Sequence, residues 1–206
     1  MIRRSRRSSS TTEKIDDLIC LWLLRMLIPL GAHQELIGPN FIKDDALAIA
    51  IGFGKWIDCE DGNFDPKVAR IELRRLHTQA EKNLRGSVAP SALASNISRL
   101  STLVGLSTTD CRILEFAVLI HNERLLDDTA DKLGNLSSAK VFHVLSILLG
   151  LPEAEIRSAL SPQGTLAQSG LVSVDRNGAR MLRGKLDLLS DSFPDRMLSA
   201  EEDPVL

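Results

Sequence analysis

Residues 137–175 read SSAKVFHVLSILLGLPEAEIRSALSPQGTLAQSGLVSVD, and this stretch decides the fold. In Ser137–Leu149 the apolar residues Val141, Leu145, Leu148 and Leu149 recur at helical spacing and define one packing face. Gly150 supplies a tight turn and Pro152 opens a second helix, from which Ile156, Ala159 and Leu160 return to the same core. Ser161-Pro162-Gln163-Gly164 breaks that helix, and Leu166 packs near its end. Gly170-Leu171-Val172-Ser173-Val174 reads as a strand, and Asp175-Arg176-Asn177-Gly178 carries the Asn-Gly pair favoured in type I′ hairpins. Met181–Leu189 then supplies a return strand or a final helix. Helix, tight turn, helix and hairpin is the layout of a winged helix-turn-helix unit.

Such a unit usually lays its second helix in the major groove, with Lys and Arg on phosphates supplying most of the affinity. Here that helix opens Pro152-Glu153-Ala154-Glu155, with Arg157 as its one cation. Carboxylates therefore stand where phosphates would sit. This favours gripping a protein, with Glu153, Glu155 and Arg157 as candidate partner-binding residues. The alternative is a DNA-binding transcriptional regulator whose contacts would be Arg157, Arg176, Arg180 and Arg183, with Lys185 also in the wing.

Working outward, residues 1–12 (MIRRSRRSSSTT) are basic and serine-rich and read as a disordered tail. Thr12 is placed to cap a first, densely apolar helix running to about Pro29, with Asp16 and Asp17 in its early turns. Asp44–Trp56 is a second helix candidate, weakened by Gly52 and Gly54. Pro66 suits the first position of a long helix through about Leu84, capped by Asp65. Its apolar positions Val68, Ile71, Leu76 and Leu84 alternate with a basic face that includes Arg70, Arg74, Arg75 and Lys82. Helices over Leu93–Val104, Ser107–His121 and Glu123–Leu133 come next, punctuated by Gly105 and Gly134. The expected class is mainly α: a helical domain over 13–134, a winged unit with a small β-hairpin over 135–198, and an acidic tail or linker over 199–206.

Composition narrows the function classes. The 206-residue chain has 44% hydrophobic and 25% charged residues and a formal net charge of −2, which gives no global attraction to nucleic acid or anionic membrane. Charge is nonetheless uneven, with seven basic residues against two acids between Lys67 and Arg99, and nine against thirteen from His121 onward. Aromatic residues are 4% and Tyr is absent, so a base-stacking surface has little to be built from. Cys20, Cys59 and Cys111 are widely spaced, which suits neither a disulfide framework nor a structural zinc. The apolar run at Leu18–Leu24 is too short to span a membrane, and a cytoplasmic location is expected. Gly54-Lys55-Trp56 and Gly184-Lys185-Leu186 lack the hydroxyl and upstream glycine of a phosphate-cradling P-loop. In Asp58–Asp65, aligning Gly62 with the glycine of a calcium loop puts Ile57 and Cys59 at ligand positions. His33, His77, His121 and His143 are scattered singly, and no GxSxG elbow occurs. No catalytic, metal or cofactor residue is expected in this chain.

The phrases Leu103-Val104-Gly105-Leu106-Ser107, Asp110–His121, Leu148–Ala159, Ser169–Asp175 and Leu186-Asp187-Leu188-Leu189-Ser190 resemble the region that precedes the ATPase module in a group of bacterial AAA-family ATPases. There a helical and a winged-helix-like segment come before the domain that carries the Walker motifs. The resemblance covers about the C-terminal half. It implies a non-catalytic recognition or regulatory region that binds a protein substrate or adaptor. The ATPase module of that family is absent up to Leu206, so ATP, Mg and a homo-oligomer are expected only if such a module lies beyond this residue.

Overall fold

The computed structural model describes residues 16–57, 64–84, 86–176 and 178–200. The tail at 1–12 with Thr12, the acidic residues 58–63 with Cys59, Asn177, and the acidic 201–206 lie outside the described residues. The chain is mainly helical, as its patterning predicts, with a two-stranded antiparallel sheet near the end.

Helix α1 spans Asp17–Leu27 and is buried on almost every side. Its N-cap is Asp16, whose carboxylate accepts the Leu18 N–H at 2.9 Å, so Asp16 lies one residue ahead of the helix and not within its early turns. Trp22, fully buried, meets Phe116 edge-to-face with ring centroids 5.1 Å apart. A short α2 (His33–Leu36) comes next. The helix expected over Asp44–Trp56 is split into α3 (Asp45–Ala50) and a 3-10 turn over Gly54–Trp56. The break falls at Gly52, whose φ of +75° leaves the helical region.

Helix α4 covers Pro66–Asn83, and Asp65 accepts the N–H groups of Lys67 and Val68 as its cap. It packs on α1, with Ala69, Leu73 and Ala80 as its buried residues. Val68 and Ile71 do not join that seam: they are 48% and 64% exposed. The buried face centres on Leu73 and the two alanines, and the helical phase carries Val68 and Ile71 to the other side.

Helices α5 (Ser91–Val104), α6 (Thr108–Asn122) and α7 (Arg124–Asp131) continue the chain. Gly105 ends α5 in the left-handed conformation. A capping box opens α6: Asp110 Oδ2 accepts the Ser107 N–H at 2.9 Å, and Ser107 Oγ accepts the Asp110 N–H at 3.1 Å. Then come α8 (Ser138–Leu149), α9 (Glu153–Ala159), α10 (Thr165–Gln168), β1 (Val172–Val174), α11 (Leu182–Lys185), β2 (Leu186–Leu188) and α12 (Phe193–Leu198). The strands pair Val172 with Leu188 and Val174 with Leu186. Residues 175–185, carrying α11, connect them, so Gly178 belongs to a longer loop and not to a two-residue turn. Met181–Leu189 thus contains both the helix and the return strand.

Helix α6 is fully buried along Phe116–Ile120 and touches α5, α7, α8, α9, α12 and β2. α1 packs against α4, α7 and α8. One continuous set of buried side chains therefore runs from Leu18 to Met197. Buried Asn96 closes it by donating from Nδ2 to the Met197 and Ser199 carbonyls, each at 3.1 Å.

Candidate functional site

The helix-turn-helix corner is built as its sequence predicts. Val141, Leu145, Leu148, Ile156 and Leu160 are buried where α8 meets α9. Gly150 turns the chain at φ +65°, and Pro152 starts α9. α9 is only seven residues long because the chain folds back sharply at Ser161–Gly164. A Cβ at position 164 would stand 2.2 Å from the Ala159 carbonyl oxygen, so only glycine permits that approach. The surface presented by this corner is therefore two short helical segments, α9 and α10, and not one long rod.

Its charges are spent internally. Arg157 donates from Nε and Nη2 to Glu153 Oε1 at 2.9 and 2.6 Å, and its guanidinium sits 4.7 Å from the Phe142 ring centroid. Hydrogen bonding from Arg157 holds the Glu153 carboxyl below the ordinary carboxylate range, assisted by His143, whose Nδ1 lies 3.4 Å from Glu153 Oε2. Glu155 accepts a hydrogen bond from Thr109 Oγ1 at 3.0 Å, tying α9 to the start of α6. The three residues read from sequence are thus brought together on α9, with two of them occupied by each other.

Beside them lies a cleft of about 260 Å³ between α6 and α9. Ser107, Thr109, Ser158 and Thr165 line it with hydroxyls, and Glu155 and Asp110 with carboxylates. Asp110 and the Ser107 hydroxyl are committed to the capping box and the Thr109 hydroxyl to Glu155 Oε2, which leaves the other Glu155 oxygen and the Ser158 and Thr165 hydroxyls to face an occupant. The arrangement suits a polar side chain that enters from a partner. The cleft is not legible in the sequence because Ser107–Asp110 and Ser158–Thr165 are distant in the chain.

The wing residues divide. Arg183 Nη1 donates to Asp127 Oδ2 of α7 at 3.2 Å, and buried Lys185 donates from Nζ to the Asp175 carbonyl at 2.9 Å. Asp175 accepts N–H bonds from Gly178 and Ala179 and shapes the loop. Arg176 and Arg180 are exposed and have no side-chain partner among the described residues. The four residues of the DNA-binding alternative are therefore not one free cationic set.

On α4, Arg75 donates to both Glu72 oxygens, at 2.9 and 3.1 Å, and to Gln79. With Lys55 on the other side, these bonds bring the Glu72 carboxyl down to about 2. Arg70, Arg74 and Lys82 are exposed, without a side-chain partner among the described residues.

One functional-looking residue escaped the sequence reading. Arg25 sits in the apolar helix α1 with a side chain 6% exposed. It donates from Nε and Nη2 to the two oxygens of Glu81 on α4, at 2.6 and 2.9 Å, and from Nη1 to the Leu148 carbonyl at 2.5 Å. A cation inside a dense apolar run was the available signal, since burial demands a carboxylate somewhere. His77, 3.5 Å from Glu81, and His121, bonded to the Ala117 carbonyl, are pushed below the ordinary histidine value by burial. Burial also pushes the Cys20 thiol up to about 11, away from thiolate chemistry.

No family model, curated protein or solved structure matches this chain. Among the described residues no group of His, Cys, Asp and Glu is placed to hold a metal, and no helix is long and apolar enough to cross a membrane.

Proposed function

We propose that this chain is a non-catalytic recognition module that grips a protein partner at the α8–α9 corner and its polar cleft. One observation carries the reading: Arg157, the sole cation on α9, is held by Glu153 and Phe142. The helix that would enter a DNA groove thus has its one cation paired with a carboxylate, and its solvent face offers Ala154, Glu155 and Ser158. A net-acidic surface with a small polar receptacle fits a protein side chain better than a polyanion. Action beside an ATPase module, in the cytoplasm, is the further part of the proposal and rests on the resemblance of residues 103–198 alone.

The test places a photo-crosslinking amino acid at Ala154 in the full chain and identifies what it captures. Support is a protein adduct that Ser158→Arg and Glu155→Arg abolish while the urea midpoint is unchanged. A captured set indifferent to both substitutions, or duplex DNA retained through α9, refutes the reading.

A further inference from the structure

The solvent face of α4 concentrates positive charge. At 3.6 residues per turn, Lys67, Arg70, Arg74, Lys82 and Arg75 fall within an arc of about 140°. The one acid inside that arc, Glu81, lies near its Arg70 edge and is bound by Arg25; Glu72 lies beyond the Arg75 edge and is bound by Lys55 and Arg75. Four of the five cations, Lys67, Arg70, Arg74 and Lys82, are exposed and without a side-chain partner among the described residues. From Lys67 to Lys82 the helix rises about 22 Å, roughly six phosphate steps of a duplex strand that rises about 3.4 Å each.

The neutral residues of the face add little of their own. Thr78 within the arc donates its hydroxyl to the Arg74 carbonyl and Gln79 beside it accepts from Arg75, which leaves the exposed Gln79 amide N–H groups as the neutral donors for phosphate or sugar oxygens. Exposed apolar content is limited to Ile71 and Val68, and no aromatic residue is present. That is too little apolar area for the centre of a protein–protein interface, and nothing there can stack on an unpaired base. Open cations on a helix whose carboxylates are already engaged fit a regular array of phosphates.

We propose that the solvent face of α4 docks on the phosphate backbone of duplex nucleic acid without reading its sequence. This surface is separate from the α8–α9 corner and does not rest on the function proposed for it. The chain's net charge of −2 does not oppose it, because screening confines the interaction to about 10 Å around the face. It also relocates nucleic-acid contact from the wing, where Arg183 and Lys185 are engaged internally, to a helix outside the winged unit.

The experiment measures binding of the full chain to a fluorescent duplex of arbitrary sequence as a function of salt. Four phosphates neutralised give a slope of log K against log salt of about −3.6, so raising salt from about 50 to about 200 mM weakens binding about 150-fold. Arg70→Gln with Arg74→Gln should bring the slope to about −1.8 and the loss to about 12-fold. Both side chains are exposed, and an unchanged urea midpoint confirms an intact fold. Parallel variants neutralise Arg176 and Arg180 in the wing, or Arg3, Arg4, Arg6 and Arg7 in the tail. In each of these backgrounds the α4 substitutions should still reduce the steepness of the slope by about 1.8. No binding at low salt overturns the proposal. So does a slope that responds to the wing or tail variant but not to the α4 variant. Equal competition by polyglutamate, charge for charge, also overturns it and assigns the face to an acidic protein.

Discussion

Replacing Arg25 with Met tests the contact that joins three helices. The guanidinium is buried and bonded to both Glu81 oxygens and to the Leu148 carbonyl. Methionine fills much of the volume but none of the hydrogen bonds. Leaving the Leu148 carbonyl unpaired costs about 1–3 kcal/mol, and losing charge-assisted bonds costs about 1.5–3 kcal/mol more. Glu81, 30% exposed, can turn toward water, which limits its own penalty. A net loss of about 3 kcal/mol is expected. Glu81→Ala should be worse, about 3–5 kcal/mol, because it strands a cation whose side chain is only 6% exposed. Combining Arg25→Met with Glu81→Leu removes both charges at once and should cost less than the sum of the single changes by at least about 2 kcal/mol. Urea unfolding at fixed pH, with m-values compared, reads all three. Single losses below about 1 kcal/mol, or strict additivity, would refute this account of Arg25.

Three further outcomes rest on local geometry. Gly150→Ala places a Cβ in a left-handed turn, 3.4 Å from Arg25 Nη1, and should cost at least about 1 kcal/mol by urea unfolding; a neutral result would show that the turn adjusts freely. Ser107→Ala removes the side chain that caps α6 and should cost about 1 kcal/mol, whereas Ser107→Thr should retain most of the stability. His77 and His121 have folded values below the ordinary 6.5, so the unfolded chain binds more protons as pH falls through 6.5. Their contribution to stability is complete above that value and is lost on acidification toward the depressed folded values. His77→Gln with His121→Gln should flatten the dependence of the urea midpoint across this window, and a slope equal to that of the native chain would exclude both histidines as its source.

Local signals carried most of the fold. Pro66 with Asp65, Ser107 with Asp110, Gly105 and Gly150 each act within one turn of chain, and each forms the cap or turn that its residue type demands. Where sequence and structure part, tertiary packing is the reason. Val68 and Ile71 are apolar and helically spaced, yet Ala69, Leu73 and Ala80 on the opposite side are the residues that α4 buries against α1. The Asn-Gly pair suggested a two-residue turn, but the strands continue through the Asp175 N–H bond to the Lys185 carbonyl, which requires a longer connection. On α9 the carboxylates were legible as charge, but their partners were not. Thr109 for Glu155 lies 46 residues away, and the Arg157–Glu153 pair could be read only as a helical i,i+4 spacing without its Phe142 support. Arg25 needed Glu81, 56 residues away, before its burial made sense.

That burial raises the question of why an ion pair occupies a position where apolar residues would serve stability as well. Arg25 meets Glu81 through two parallel bonds, and such a fork fixes direction as well as distance. Glu81 sits near one edge of the cationic arc of α4, so clamping it sets the rotation of that helix about its own axis. The same guanidinium satisfies a carbonyl in the last turn of α8, shortly before the chain turns at Gly150 into α9. A greasy contact at this point would hold α1, α4 and α8 together but would lack the directional bonds to Glu81. We read the pair as an orienting device, which aims Lys67, Arg70, Arg74 and Lys82 outward in fixed register with the α8–α9 corner. The Arg25→Met, Glu81→Leu double variant separates the two roles: a chain that stays stable yet loses the steep salt dependence of duplex binding has lost direction and not cohesion.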